Sequence, residues 1–198
     1  MEDNIRIIEK PDFVSWDDIH EVLWEAHAEN RENGINMPFP ALPGEKIREK
    51  IEGGHGKMFV AMLDDRVVGT GAILIENKSF WWGENTYAYC CFGSVLPEFR
   101  GHGIYKEIEL RQEEETKANG LEIMLFETHE RNKRMLTISK KNGYKAIEFI
   151  VFDYYNIAMA KWLNGCPYSD WYLACRFHVY KLYRKLRYKP GGVKRFGL

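Results

Sequence analysis

A ten-residue segment that ends at Ile104 carries the residue types best suited to binding an anion: Val95-Leu96-Pro97-Glu98-Phe99-Arg100-Gly101-His102-Gly103-Ile104. An apolar, strand-like run over 88–95 leads into it, and a helical pattern over 104–118 follows it. The first N–H groups of a helix have no partner inside the helix and lie at the positive end of its dipole. Because Gly101 and Gly103 lack a Cβ, an anion can approach their backbone closely. The spacing therefore predicts a phosphate site at this turn and a ligand that carries a diphosphate.

The segment has neither the GxGxxG spacing of a dinucleotide-binding turn nor the GK[ST] of a P-loop, and an ordinary strand-to-helix turn is the simpler alternative. As a whole it resembles the acetyl-CoA signature V-x-P-[EQR]-x-R-G-x-G-[IL] of the GNAT family of N-acetyltransferases. The resemblance implies that backbone amides of the loop bind the pyrophosphate of acetyl-CoA, the co-substrate. Carried onto this chain, it gives as cofactor-binding residues Ser94, Val95, Arg100, Gly101, His102, Gly103, Ile104 and Tyr105.

A second match lies downstream, where the family has an Asn followed eleven residues later by Gly and an aromatic residue. Asn132, Gly143 and Tyr144 fit this spacing, with a predicted helix between them. The resemblance implies that Asn132 supports the pantetheine arm and adds it to the cofactor-binding residues. The same residue is also well placed to cap the helix, and the two roles are compatible.

The chain departs from the family at two catalytic positions. Ser139 stands where many members have a Tyr that protonates the leaving thiolate, with Tyr105 and Tyr144 as neighbouring substitutes, and the strand 88–95 carries no carboxylate to serve as base. Glu127 and His129 are the candidate bases, since residues two apart share a face of a strand. An ion-pair partner and a surface loop residue are the simpler interpretations of these two. The expected catalytic residues are therefore Glu127, His129 and Ser139.

Hydrophobic periodicity places strands and helices in the order that the resemblance requires. The expected fold class is α/β, a GNAT fold with a mixed, mostly antiparallel central sheet whose parallel strands 88–95 and 121–128 splay apart. Gly93 marks either the bulge that starts the splay or a close packing contact. Helices flank the sheet, and a basic helix follows at the C-terminal end. The remaining predicted strands are 5–9, 57–63, 66–76, 145–152 and 155–163, and the remaining helices are 16–33, 45–52 and 133–142.

Length and composition set the class of protein. The 198 residues predict one domain with an appendage, and no apolar run is long enough to span a membrane. No signal peptide is visible at the N-terminus. The four cysteines form no CxxC pair, which argues against a metal site. We therefore expect a metal-free, cytoplasmic protein.

The C-terminal segment has a charge that the resemblance does not explain. Residues 166–198 carry eight Lys or Arg against one acid, a net +7; since the whole chain is −1, residues 1–165 carry −8. We divide the chain into a GNAT acyltransferase domain, 1–165, and a basic, aromatic-rich helical extension, 166–198. A helix that ends near Arg187 aligns Leu173, Phe177, Tyr180 and Tyr183. It suits packing on the domain itself, a partner subunit as in a homodimer, or an anionic membrane surface, while nucleic acid is disfavoured.

Together these features predict an acyl-CoA-dependent N-acetyltransferase that moves acetyl directly to a primary amine of a small molecule or peptide. Two alternatives stay open. One is a module that binds acyl-CoA without transferring it. The other is a peripheral membrane or partner-binding protein that acts through its basic helix.

Overall fold

The computed structural model describes residues 5–35, 37–151 and 154–188. The chain forms two compact units, Met1–Glu122 and Ile123–Leu198. Each unit combines a sheet with packed helices, so both are α/β.

The first unit contains four strands, joined as antiparallel neighbours in chain order. Its helices and its sheet enclose a core of aliphatic side chains from all layers, in which Ile19, Ile47, Val60 and Ile108 are fully buried. The elements are β1 (Ile5–Glu9), α1 (Trp16–Ala26), α2 (Ala28–Glu32), α3 (Gly44–Gly53), β2 (Lys57–Leu63), β3 (Arg66–Phe80), β4 (Gly83–Val95) and α4 (Ile104–Ala118).

Helix α1 begins as its sequence predicts but ends earlier. Ser15 and Asp18 form a reciprocal capping box, which satisfies two of the backbone donors at the start of the helix. The predicted helix 16–33 is interrupted at His27, which caps the end of α1 with φ −101° and ψ 10°. The carbonyl of Ala26 there accepts a hydrogen bond of 2.5 Å from Arg100 Nη2, 74 residues along the chain. The helix thus ends at a long-range contact with Arg100, at a point where the local periodicity predicts that the helix continues.

The β3–β4 hairpin is longer than its periodicity predicts, since the strands run to Phe80 and start again at Gly83. Phe80 stacks on Trp82 with ring centroids 4.4 Å apart and meets the ring edge of Tyr87 at 5.4 Å. The contact of Phe80 with Tyr87 joins the two strands, and that with Trp82 packs the turn against β3. Cross-strand aromatic contacts stabilise a hairpin, and here the hairpin continues through residues polar enough to suggest a loop.

The second unit contains three strands in the antiparallel order β5-β7-β6. Its last helix lies against β6, with Leu173 and Phe177 buried and the ring of Phe177 6.5 Å from that of Phe149. Of the alternatives left open for the basic helix, packing within its own chain is therefore observed for this face. The elements are β5 (Ile123–His129), α5 (Lys133–Lys141), β6 (Lys145–Val151), β7 (Tyr155–Trp162) and α6 (Asp170–Arg187).

Parts of two predictions lie outside the described residues. These are Phe152, at the end of the predicted strand 145–152, and the C-terminal segment 189–198 with its three cations. All four cysteines are free thiols. Among the helices that the structure describes, none combines the length and the apolar character needed to cross a membrane.

Candidate functional site

A β-bulge lies in β4, a few residues before the glycine-bearing loop. Thr70 of β3 pairs with Ser94 and Ala72 pairs with Cys91, so two residues of β4, Phe92 and Gly93, lie opposite one residue of β3. The predicted bulge at Gly93 is therefore confirmed, although the left-handed residue is Phe92, with φ 52°. A bulge bends its strand and turns the following residues in a new direction.

Gly93 also packs closely against the following helix. A Cβ at this position would lie 3.2 Å from the ring of Tyr105, a tight contact that would push the ring away from β4 by a few tenths of an ångström. Tyr105 belongs to the first turn of α4, and the contact therefore links the bulge to the helix that follows the loop.

Thr70 fixes the bulge from the neighbouring strand. Its hydroxyl donates to the carbonyl of Phe92 at 2.7 Å and lies 2.8 Å from the hydroxyl of Ser94. Thr70 is fully buried and Ser94 is 6% exposed, so water cannot replace these bonds. The side chain of Ser94, a predicted cofactor contact, is thus bonded to the neighbouring strand.

The loop between β4 and α4 presents backbone rather than side chains. Gly101 and Gly103 have φ of +90° and +80°, and a Cβ built on either would have no atom within 4 Å. Gly103 is the N-cap residue of α4 and supplies no side-chain cap. The left-handed backbone explains why glycine is needed here. The open space above both residues suits the approach of an anion to the helix N-terminus.

Helix α4 is held firmly on the sheet. Gln112, 3% exposed, donates from Nε2 to the carbonyl of Ala72 at 2.8 Å. A Cβ at Gly71 would lie 2.5 Å from Ile108, so the helix and β3 approach more closely than any other residue would permit. The N-terminus of α4 therefore keeps a fixed position beside the loop.

Arg100 ties the loop to its surroundings. Its Nε donates to the carbonyl of Val95 at 3.1 Å, its Nη2 to that of Ala26, and its Nη1 lies 3.4 Å from Glu29. Its own backbone N–H donates to Pro97 O at 3.2 Å. These contacts favour a positioning role for Arg100, with the anion left to the amides that follow it.

The other predicted loop residues occupy distinct environments. Ile104 is buried in the core, whereas His102 is exposed with Nδ1 3.2 Å from the carbonyl of Phe99. Burial raises the pKa of the Tyr105 phenol well above its ordinary value, and Glu109 and Cys90 act in the same direction. Tyr105 is therefore protonated at neutral pH, and its phenol gives up the proton less readily than that of an ordinary tyrosine.

His27 is a residue that the sequence analysis missed. Its Nδ1 lies 3.0 Å from Asn30 Nδ2, and its ring donates to the carbonyl of Gly93 in the bulge. Burial lowers the pKa of His27 to about 4; the positive charges of Arg100 and Arg31 act in the same direction, against the bond to Gly93. No sequence signal marks this residue, because it lies inside a continuous helical pattern.

His129, in the second unit, has one ring nitrogen engaged. Its Nδ1 accepts the backbone N–H of Arg131 at 3.0 Å, and the side chain is 7% exposed. Burial lowers its pKa, the charge of Arg131 adds to this, and Glu130 opposes both. The imidazole is therefore neutral at pH 7, with its proton on Nε2.

Asn132 and Ser139 both bond within α5. Asn132 Oδ1 accepts the N–H of Met135 at 3.1 Å, which confirms the predicted cap. Ser139, 2% exposed, donates its hydroxyl to the carbonyl of Met135 at 2.7 Å. This bond uses the proton that a thiolate would need, so the geometry favours a structural role for Ser139.

Glu127 lies half-buried on β5, and the end of that strand carries a polar neighbour from β7. Asn156 is paired in register with His129, and its Oδ1 is buried without a hydrogen-bond partner in the part of the chain that the structure describes. A buried acceptor of this kind suits a ligand that donates an N–H. Over the same residues, no three His, Cys, Asp or Glu side chains come together as a metal site.

Solved structures of acetyltransferases share this fold. One from Streptococcus agalactiae has a TM-score of 0.64 at 17% identity and covers 81% of this chain and 99% of its own. A GNAT-family protein from Staphylococcus aureus has a TM-score of 0.65 at 17% identity, over 80% and 99% of the two chains. The PaiA N-acetyltransferase of Thermoplasma acidophilum, solved in complex with coenzyme A, has a TM-score of 0.63 at 19% identity, over 80% and 99%.

Sequence comparison gives the family. No curated protein sequence matches the chain significantly. A sequence model of the acetyltransferase (GNAT) family matches residues 16–152, which include the bulged strand, the glycine-bearing loop and α5. The resemblance and the expected fold class are confirmed, and the chain belongs to the GNAT family of acetyltransferases.

Proposed function

We propose that this protein transfers an acetyl group from acetyl-CoA to a primary amine of a small molecule or peptide. The observation that carries the proposal is the uncapped start of α4, where two left-handed glycines leave the backbone open. A pyrophosphate bound there gains both the unpaired amides and the helix dipole. The coenzyme A complex of the Thermoplasma relative supports the choice of ligand.

The reaction is a direct transfer. The neutral amine attacks the thioester carbonyl, the new C–N bond forms, and the C–S bond breaks to release CoA thiolate. Because two bound reactants are held together, orientation supplies much of the rate. The fixed bulge of β4 serves this purpose, since Thr70 and Tyr105 leave the backbone around Val95 little freedom.

The proton of the amine must go to a base or to water. We retain Glu127 for this role. In His129, Nδ1 accepts a backbone N–H and Nε2 carries the ring proton, so neither nitrogen is available to take a proton from the amine. The expected consequence is that Glu127→Gln lowers kcat about 10²-fold or more, as for loss of a general base. The affinity of this variant for acetyl-CoA is expected to stay unchanged. We also propose that the protein acts in the cytoplasm.

Calorimetric titration tests the binding step. Acetyl-CoA should bind with a Kd on the order of micromolar, about 8 kcal/mol. ADP, which keeps the diphosphate but lacks the pantetheine arm, should bind much more weakly, and dephospho-CoA should lie between them. If acetyl-CoA does not bind, or binds no better than ADP, the proposal is wrong.

A protein that binds acyl-CoA without transferring it is the second candidate. The observation in its favour is that the hydroxyl of Ser139 and the Nδ1 of His129 are both hydrogen-bonded to nearby backbone groups. Thiol release from acetyl-CoA, measured over a panel of amino sugars, polyamines, amino acids and peptides, separates the two. Binding without turnover over the whole panel favours the second candidate.

A further inference from the structure

Helix α6 presents an apolar face to solvent, opposite the face that it buries. Nine large hydrophobic side chains are exposed among the described residues, and six of them lie on this helix, with exposed fractions from 42% to 75%. They are Trp171, Tyr172, Val179, Leu182, Tyr183 and Leu186. Scattered exposed apolar residues are ordinary, but a concentration on one helix face indicates an interaction surface.

These residues form one stripe. Trp171, Cys175, Val179, Leu182 and Leu186 follow one another at intervals of three or four, and Tyr172 and Tyr183 widen the stripe on one side. The sequence aligns Tyr183 with Leu173, Phe177 and Tyr180. In the structure Leu173 and Phe177 are buried, whereas Tyr183 is exposed beside this second apolar stripe.

The inward face is anchored, so the stripe cannot turn inward by a rotation of the helix. Lys181 and Lys185 bind the two carboxylate oxygens of Glu130 at 3.0 and 2.8 Å, and Asp170 pairs with Lys145 at 2.9 Å. Burial by itself would raise the pKa of Glu130, but the hydrogen bonds from Lys185 and Lys181 outweigh it and hold the pKa below its ordinary value. Glu130 is therefore charged at neutral pH, and the pairing persists there.

The stripe is bordered by cations and by no carboxylate. Arg176 and Arg187 lie on one side of it, and no Asp or Glu follows Asp170 in the sequence, whereas eight Lys or Arg do. Pairing of this helix with the same helix of a second copy would set cations against cations without an acid between them. A surface with dense negative charge above an apolar interior complements this pattern on both counts.

We propose that α6 lies flat on an anionic lipid surface, with the stripe inserted at the level of the headgroups and the flanking arginines on lipid phosphates. Trp171 and the two tyrosines suit this depth, because their rings are amphipathic. This property is independent of acetyl transfer, and it would hold the enzyme at a membrane surface.

Vesicle flotation of the full chain tests the proposal. Vesicles of phosphatidylcholine alone are compared with vesicles that also contain phosphatidylserine. Leu182→Glu places a charge in the stripe, and Ala174→Glu adds the same charge at an exposed position of α6 outside it. Melting curves of both variants establish that α6 remains folded.

The wild type should bind the anionic vesicles and bind the neutral ones weakly. Leu182→Glu should weaken binding roughly tenfold or more, since burial of a leucine side chain is lost, while Ala174→Glu should retain most of it. Arg187→Gln should weaken binding by roughly fivefold, the effect of one cation near such a surface.

Three results would overturn the proposal. The first is the absence of binding to anionic vesicles. The second is equal binding by Leu182→Glu and Ala174→Glu, which would leave the stripe without a role. The third is a concentration-dependent dimer in light scattering that Leu182→Glu abolishes, without vesicle binding, which would assign the stripe to a second copy.

Discussion

The junctions β4–α4 and β5–α5 both lead from a strand into a helix, yet they satisfy their polar groups in opposite ways. At α5 the side chains of His129, Asn132 and Ser139 bond to backbone groups within four residues of themselves. At α4 the bulge and the loop are held by residues distant in sequence, and the cap residue Gly103 has no side chain to offer.

The difference indicates which helix N-terminus can bind a ligand. A helix capped by its own side chain has already satisfied the donor that an anion would use. The start of α4 is left open, while Thr70, His27 and Arg100 fix the backbone around it from outside. Such preorganisation lowers the cost of ordering the loop when a ligand binds.

Gly101→Glu gives the largest expected effect, because it puts bulk and negative charge where we place the pyrophosphate. Acetyl-CoA affinity should fall by roughly a hundredfold or more, a loss of about 3 kcal/mol. Gly101→Ala is the control, because it meets the same strain at φ +90° without the charge or the bulk. It should lose far less affinity in the same titration. Equal losses in the two variants would attribute the effect to backbone strain.

Thr70→Val tests whether the bulge must be fixed. The substitution keeps the shape but leaves the buried Phe92 carbonyl and Ser94 hydroxyl without their partner, at a cost of about 2–4 kcal/mol of unfolding free energy. Acetyl-CoA affinity should weaken as well, because the bulge relaxes. Thr116→Val is the matched control: Thr116 is also fully buried, but its hydroxyl donates within α4, to the carbonyl of Gln112. It should be stable and should bind normally.

The sequence predicts the loop, the capped helices and the order of elements because their signals are local. The Asn132 cap and the two glycines of the loop act within a few residues, and they are found as predicted. The Ser15 capping box, which starts α1, is equally local. The supports of the bulge are long-range: Thr70 lies on another strand, and Arg100 reaches Ala26 across 74 residues. Periodicity carries no information on such contacts, so it also misses His27 and the interruption of the helix beside it.

The pH dependence of stability tests the contribution of His27. Its pKa of about 4 in the folded protein lies below the ordinary 6.5. Between these values the unfolded chain binds a proton that the folded chain does not, so acid lowers the free energy of unfolding. From pH 8 to pH 5 the loss should be about 2 kcal/mol.

Urea unfolding of the wild type and of His27→Gln at several pH values isolates this contribution. The variant should show a flatter dependence below pH 6.5, because glutamine does not titrate. His129, whose pKa burial also lowers, is present in both proteins and cancels in the difference. Parallel curves would mean that His27 is accessible to protons in the folded state.

Asn132 gives the smallest effect and the sharpest test of the comparison, because the observed cap and the predicted cofactor contact would use different atoms of its amide. Oδ1 caps α5, so Asn132→Ala should lose about 1 kcal/mol of stability. Asn132→Asp keeps the cap and should keep that stability. The predicted contact with the pantetheine arm would use Nδ2, which aspartate lacks, so acetyl-CoA affinity should fall about fivefold in both variants. If Asn132→Asp binds acetyl-CoA as the wild type does, the side chain serves α5 alone, and ligand recognition rests on the open junction at α4.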